Sequence, residues 1–385
     1  MKKILIVAYY YPPESNGGTE RVRQFYMKLK EEGFDTYVLT ADKLYLYKKT
    51  KGQADNHIIR NWGLWAAVRA YDGFIRKYKI KINFLSSIAN RLIRKTAKKI
   101  SPDVCIASFP LSYDFDIGLR IKECLNCKLV ADFRDGLLFC PFSIVENGNK
   151  LYKDKMNRLE KDIVSYSDLI ITVSPQHAEY FSKNYGVGAR VIPNGFDHLE
   201  KIDCESLDFS AYGFTVLFTG GIDSSRPGQF EYVKKCLEGM FEDNLDITFI
   251  FVGNYNEYEI SFFSKYKNVI LYPRQLRNTV IATQKRANVL LAITGDDTSG
   301  TSGKLYEYLF AEAPVLNIGG DNNAARIIRE SNAGTTISPH ERKKINKYLE
   351  NVRNNHVDVT RRNIMQYTRL EECHKLAEYI RGLFK

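Results

Sequence analysis

The chain has 385 residues, 44% apolar and 26% charged, with 25 Tyr and 22 Phe; this excludes a disordered or fibrous protein and predicts two globular units of roughly 100 to 200 residues each. No apolar run approaches the roughly 18 to 20 residues that span a bilayer, and the apolar opening at residues 1–8 is soon broken by Tyr and Pro, so a cytosolic protein without a cleaved leader is expected. The net charge is +11, but residues 43–99 hold 15 Lys or Arg against only Asp55 and Asp72, which excludes a uniformly basic chromatin-like protein and marks one segment for an anionic partner.

The first half alternates strand and helix. Residues 4–8 predict a strand, residues 9–18 a loop rich in Pro and Gly, and the following stretch a helix with Val22, Phe25, Tyr26 and Leu29 on one face. The loop closes on Gly17-Gly18-Thr19-Glu20-Arg21. Adjacent glycines let backbone amides approach a ligand, and the helix start adds its positive end, so a phosphate or sugar oxygen suits Gly17, Gly18 and Arg21. The loop lacks the G-x-G-x-x-G spacing of dinucleotide sites and the lysine of a P-loop, and a plain turn is an equal reading. Residues 37–40 predict the next strand.

The basic segment follows. It contains both tryptophans, Trp62 and Trp65, in an apolar stripe that continues through Val68, Tyr71, Ile75, Tyr78, Ile82 and Leu85. Gly73 interrupts the stripe, which predicts two helices. Two readings stand side by side: an interfacial patch on an anionic membrane, and an ordinary amphipathic pair packed on the domain with a solvated basic face. Nucleic acid is not expected, because no recognition-module pattern accompanies the charge.

Strands at 104–109, 128–133 and 169–173, with helices around 116–123 and 150–166, imply a parallel sheet covered on both faces. The strand at 128–133 ends in Asp132-Phe133-Arg134-Asp135, where a doubly wound sheet meets its ligands. Asp132 or Asp135 can take a proton from a substrate hydroxyl, and Arg134 can hold a phosphate or orient the acid; a structural ion pair tying down a loop is an equal reading. Seven scattered cysteines fit reduced thiols, and the lone pair Cys124 and Cys127 does not make a zinc site.

After residues 190–197 the periodicity pauses, which predicts a boundary at 197/198. The rhythm restarts with strands at 215–219, 247–252, 269–272, 289–294 and 315–318. Gly220 and Gly221 open a loop carrying Arg226. Further on, Ser302-Gly303-Lys304 starts a helix in which Lys304 and Glu307 share a face opposite Leu305, Tyr308 and Leu309. A diphosphate at this helix start, with Glu307 on a ribose hydroxyl, is the preferred reading over a capped helix with a surface ion pair. Asp296 and Asp297 are discounted as metal ligands. A final stripe of Leu370, Cys373, Ala377, Ile380 and Leu383 predicts a buried C-terminal helix.

These motifs, with the segments at 171–181 (ITVSPQHAEYF), 191–197 (VIPNGFD) and 303–319 (GKLYEYLFAEAPVLNIG), resemble the GT-B glycosyltransferases, most nearly family 4. The resemblance implies an α/β fold of two Rossmann-like doubly wound domains facing across a cleft: residues 1–197 on the acceptor side, residues 198–365 for the nucleotide sugar, and residues 366–385 packing back on the first domain. It implies transfer, with retention, from a UDP- or GDP-sugar to a glycan or polyprenyl-diphosphate-linked acceptor in capsule, O-antigen or exopolysaccharide synthesis, on the inner face of the membrane. Gly220, Gly221, Arg226, Ser302, Gly303 and Lys304 would hold the diphosphate, Glu307 the ribose, and Arg274 would lie near the base. No metal is required where cations and a helix end neutralise the leaving group. The chain departs from the family pattern at Ser299, where many members have a second glutamate, and at Arg134, where many have a histidine. Ser299 keeps a rival open, a non-catalytic nucleotide-sugar or membrane-docking protein.

Overall fold

The computed structural model describes residues 1–12, 17–41, 55–139, 148–197, 204–222, 229–295, 301 and 303–385. They form two compact units, residues 1–193 with 369–385, and residues 194–368. The sequence reading places these joints at 197/198 and 365/366.

The first unit runs β1 (Lys3–Val7), α1 (Gly17–Glu31), β2 (Asp35–Thr40), β3 (Ile58–Arg60), α2 (Trp62–Tyr78), α3 (Asn83–Ile100), β4 (Val104–Ser108), α4 (Ser112–Leu125), β5 (Lys128–Phe133), α5 (Lys150–Tyr166), β6 (Leu169–Thr172), α6 (Pro175–Tyr185) and β7 (Arg190–Val191). The strands make one parallel sheet in the order β3-β2-β1-β4-β5-β6-β7. Its inner strands are largely apolar because both faces are covered. Within β1, Leu5 and Val7 join the core beneath α2 to α6, while Ile4 and Ile6 face α1. Gly118 lets α4 close on the sheet, since a Cβ there would lie 2.7 Å from that of Ala107.

The basic segment forms two helices, but the break falls after Tyr78, and Gly73 lies inside α2. A single interior glycine costs only about 1 kcal/mol against alanine. Burial of Leu64, Trp65, Val68 and Ile75 on one side of α2 offsets that cost. Of the predicted stripe, Trp65, Val68 and Ile75 are therefore a packing face and Tyr71, Ile82 and Leu85 are half-buried, whereas Trp62 and Tyr78 are exposed.

The second unit runs β8 (Thr215–Thr219), α7 (Gln229–Asp243), β9 (Thr248–Val252), α8 (Glu257–Phe263), β10 (Val269–Tyr272), α9 (Arg277–Gln284), β11 (Val289–Gly295), α10 (Gly303–Ala311), β12 (Val315–Gly319), α11 (Asn323–Glu330), β13 (Gly334–Ile337) and α12 (Arg342–Arg353). Its six strands are also parallel, in the order β10-β9-β8-β11-β12-β13. The chain ends in α13 (Arg369–Gly382), which belongs to the first unit: Cys373, Leu376, Ala377 and Ile380 share a core with Val22, Phe25 and Leu29 of α1.

Each sheet reverses its winding direction once, between β1 and β4 and between β8 and β11. At such a point the loops diverge to opposite faces and leave a crevice at the carboxyl ends of the strands. Among the described residues, no helix is long and apolar enough to cross a membrane.

Candidate functional site

In the second unit the reversal lies between β8 and β11. The chain leaves β8 at Gly220 with φ +100°, a conformation that favours glycine. Its amide donates to the Val252 carbonyl, and its carbonyl accepts from the Tyr255 hydroxyl. Lys304, second residue of α10, lies directly over it: a Cβ on Gly220 would meet Lys304 Cε at 2.5 Å and Nζ at 2.7 Å. The ammonium also sits 4.2 Å from the centroid of the Phe218 ring. Burial pulls the Lys304 pKa down to about 8, against the pull of the Glu307 charge in the other direction.

Glu307 follows one turn along α10 and is ion-paired with Arg277, first residue of α9. The strand ends beneath are pinned by the Tyr308 hydroxyl, which lies 3.2 Å from both the amide and Oγ1 of Thr219, and by Gln284, which donates to Thr219 Oγ1. A cavity of about 270 Å³ opens between these ends, lined by Phe218, Gly221, Ile222, Thr294, Lys304 and Tyr308. A Cβ on Gly303, the first residue of α10, would meet nothing within 4 Å.

Of the residues singled out on this side, Gly220, Gly221 and Lys304 come together at one crevice, with Gly303 and Glu307 on the same helix as Lys304. Arg274 is exposed in the chain after β10. Its neighbour Arg277 is the guanidinium that reaches Glu307, and nothing in its sequence context marks it out. Arg226, Ser299 and Ser302 lie outside the described residues, as do Asp296 and Asp297.

In the first unit the reversal lies between β1 and β4. There the Tyr9 amide donates to Asp114 Oδ1 at 3.0 Å, joining the exits of the two strands. Burial pushes the Asp114 carboxyl well above the ordinary carboxylate range. Arg134 reaches across from the end of β5, and a Cβ on Gly18 would fall 1.8 Å from one of its guanidinium nitrogens. Burial lowers the Arg134 pKa, opposed by Asp135 and Asp132. Asp135 is exposed and stands 3.9 Å from Arg134 Nε. Beside Asp114, the Tyr9 ring packs edge-on to Tyr10, Trp65 and Tyr113, and its hydroxyl accepts from Arg69 at 2.6 Å.

Arg21 and Asp132 behave differently from their neighbours. Both are buried and joined at 2.8 Å. The rest of the Arg21 guanidinium donates to the Ile192 and Pro193 carbonyls, and Asp132 Oδ2 accepts from Ser108. Their polar atoms are spent on tying α1, β4, β5 and the chain after β7 together, which is the structural alternative weighed above. Gly17 opens α1. Asp114, Tyr9 and Arg69 escaped the sequence reading because only the sheet order brings residues 9, 69 and 114 to one edge.

Residues 15–199 match the family model described as Glycosyltransferase Family 4. No curated protein sequence matches the chain. Among solved structures, Anabaena HepE in complex with UDP-glucose is 13% identical with a TM-score of 0.68, covering 99% of this chain and 100% of that one. TarM is 11% identical with a TM-score of 0.64, covering 100% and 99%. A UDP-N-acetylglucosamine 2-epimerase of Listeria monocytogenes, so named provisionally, is 12% identical with a TM-score of 0.64, covering 100% and 97%.

Proposed function

We propose a sugar-transferring activity for this chain, on the premise that it is a GT-B protein whose residues 15–199 carry the Glycosyltransferase Family 4 domain. The donor is a UDP- or GDP-sugar and the acceptor a glycan or a polyprenyl-diphosphate-linked sugar of a cell-surface polysaccharide. HepE, of the same fold, was solved with UDP-glucose. The observation that carries the reading is Lys304 lying over Gly220 at the strand-order reversal of the second unit, with Glu307 one turn further on.

Breaking the bond between a sugar carbon and a diphosphate gathers negative charge on the departing phosphate oxygens. Lys304 and the positive end of α10 can neutralise it. A lysine with a pKa near 8 is still mostly ammonium at neutral pH but carries an uncompensated desolvation cost when the crevice is empty, and a bound diphosphate offsets that cost and holds the ammonium form to higher pH. The Glu307 carboxylate accepts from the ribose hydroxyls, with Arg277 fixing its direction. Arg226 and Ser302 complete the phosphate contacts and Arg274 borders the base. With retention of configuration, a leaving phosphate oxygen takes the acceptor proton, so Asp135 and Arg134 orient the acceptor. Arg21 and Asp132 hold the backbone under them.

The fold is shared by UDP-N-acetylglucosamine 2-epimerases, which gives a second reading: inversion at C2 of such a donor. One experiment separates the possibilities. The full chain is screened for thermal stabilisation by uridine, guanosine and cytidine diphosphate sugars, and the stabilising donor is then incubated with and without acceptor glycans. Acceptor-dependent release of nucleoside diphosphate supports transfer. Acceptor-independent epimerisation replaces this reading with the second, and binding without turnover leaves a non-catalytic protein.

A further inference from the structure

We propose that the turn between α2 and α3 is a membrane-docking tip that places Tyr78, Ile80 and Phe84 in the headgroup zone of an anionic bilayer, among the cations Arg76, Lys77, Lys79 and Lys81. The three side chains are 55%, 53% and 72% exposed, and they fall within seven residues of one another. The cations beside them are exposed as well. From Gly73 to Lys99 the chain has nine Lys or Arg and no Asp or Glu. The tip alternates basic and apolar side chains, which suits a surface that is anionic outside and greasy beneath.

The charge continues along α3. At 100° per residue, Phe84, Ile88, Arg91, Lys95 and Lys98 lie on one stripe within roughly 40° of Phe84, and Arg91, Lys95 and Lys98 are exposed. The opposite side of α3, with Ala89, Ile93 and Ala97, is buried in the domain. The tip is held firmly. Lys79 turns the chain through the left-handed region at φ 59°, its amide closes on the Ile75 carbonyl, and Asn149 donates to the Ile75 and Arg76 carbonyls.

Other occupants fit less well. A second copy would set this acid-free cluster against its own charge. A nucleic acid would meet the cations but leave Ile80 without an apolar partner. The docking stands on the tip alone; only its purpose, bringing a polyprenyl-diphosphate acceptor to the first unit, rests on the transferase reading.

The test floats the full chain with vesicles of phosphatidylcholine alone and with vesicles containing about a third phosphatidylglycerol. The wild type should float with the anionic vesicles, less so at high salt, and not with the neutral ones. Lys77→Gln/Lys79→Gln/Lys81→Gln should weaken anionic binding about a hundredfold. Ile80→Ser/Phe84→Ser should weaken it at least about tenfold and leave what remains fully salt-sensitive. Unchanged melting of both variants shows that the fold survives. The proposal is overturned if the wild type does not float, if it floats equally with both vesicles, if the variants float like the wild type, or if the same residues instead mediate self-association or binding to a single-stranded oligonucleotide. Flotation by a chain that no nucleotide sugar stabilises would count against the donor reading alone.

Discussion

Lys304 occupies the space that a side chain on Gly220 would need, with Nζ only 2.7 Å from the position of that Cβ. Gly220 cannot move aside, because its amide and carbonyl are bonded to Val252 and Tyr255. Gly220→Ala therefore meets two costs: a φ of +100° that a Cβ resists, at about 1–3 kcal/mol, and displacement of the lysine. The variant should melt lower than the wild type, and calorimetry should show nucleoside diphosphate binding weakened at least about tenfold. Lys304→Met should lose the binding without the loss of stability, since it removes a buried charge and no backbone strain is added.

The ion pair of Glu307 with Arg277 makes a graded prediction. Removing the carboxylate takes away the ribose acceptor itself, while removing the guanidinium only frees the acceptor to swing. Hydrogen bonds to charged groups contribute about 1.5–3 kcal/mol. Glu307→Ala should therefore lower kcat/KM by roughly ten- to a hundredfold, and Arg277→Ala by less. Comparison of ribose and 2′-deoxyribose donors checks the contact directly: the wild type should discriminate between them, and Glu307→Ala should not.

Lys304 also gives the crevice a pH dependence. With its pKa lowered to about 8, the empty site loses positive charge as pH rises through 8, some two units before an ordinary lysine does. Nucleoside diphosphate affinity should fall by up to about tenfold per pH unit between roughly pH 8 and 10. Lys304→Arg, if it fits, should flatten that profile because arginine stays charged throughout. A profile in the wild type that stays level to pH 10 would show that Lys304 does not face the diphosphate.

The buried pair of Arg21 and Asp132 should be read by stability and not by turnover alone. Breaking a buried ion pair from one side costs about 3–5 kcal/mol, because the remaining charge is left uncompensated. Asp132→Ala should lower the urea midpoint by a corresponding amount. Arg134→Ala removes a guanidinium that packs against Gly18 but has no 2.8 Å ion pair of its own, so it should cost less stability than Asp132→Ala while lowering transfer. Equal loss of stability in both variants would remove the distinction drawn between them.

The two sheets were legible because their central strands are largely apolar runs: residues 4–8, 104–109, 128–133 and 215–219 each overlap an observed strand. Three of the four edge strands were not, while the fourth, β10, matches the run at 269–272. β3 and β7 have three and two residues, too short for any periodicity, and β13 carries Gly-Thr-Thr with little apolar signal. The start of α10 was legible because Lys304 and Glu307 are three residues apart on one helix. Arg277 was not, since its partner is thirty residues away and only the packing of α9 beside α10 joins them. For Asp132, local sequence left a catalytic acid and a structural one equally open, and Arg21, 111 residues away, fills that carboxylate.

The C-terminal helix carries a carboxyl whose cost depends on pH. Glu372 is buried against the first unit, and burial raises its pKa to about 7 even though Lys375 lies 3.0 Å away on the more exposed side. An acid whose pKa is higher folded than unfolded binds its proton more tightly in the native state, so stability falls as pH rises from about 4.5 to about 7. The full difference is on the order of 3 kcal/mol. Glu372→Gln keeps the shape and removes the titration. Glu20, held down to about 2 because Arg23, Gln24 and Arg369 outweigh its burial, loses stability in the opposite direction as pH falls below about 4.5. The difference between variant and wild type cancels that second effect. Glu372→Gln should be more stable than the wild type above pH 7 and no more stable at pH 4.5, with hydrogen exchange in α13 slowed in step. A constant difference across that range would mean that Glu372 keeps its charge in the folded protein at pH 5.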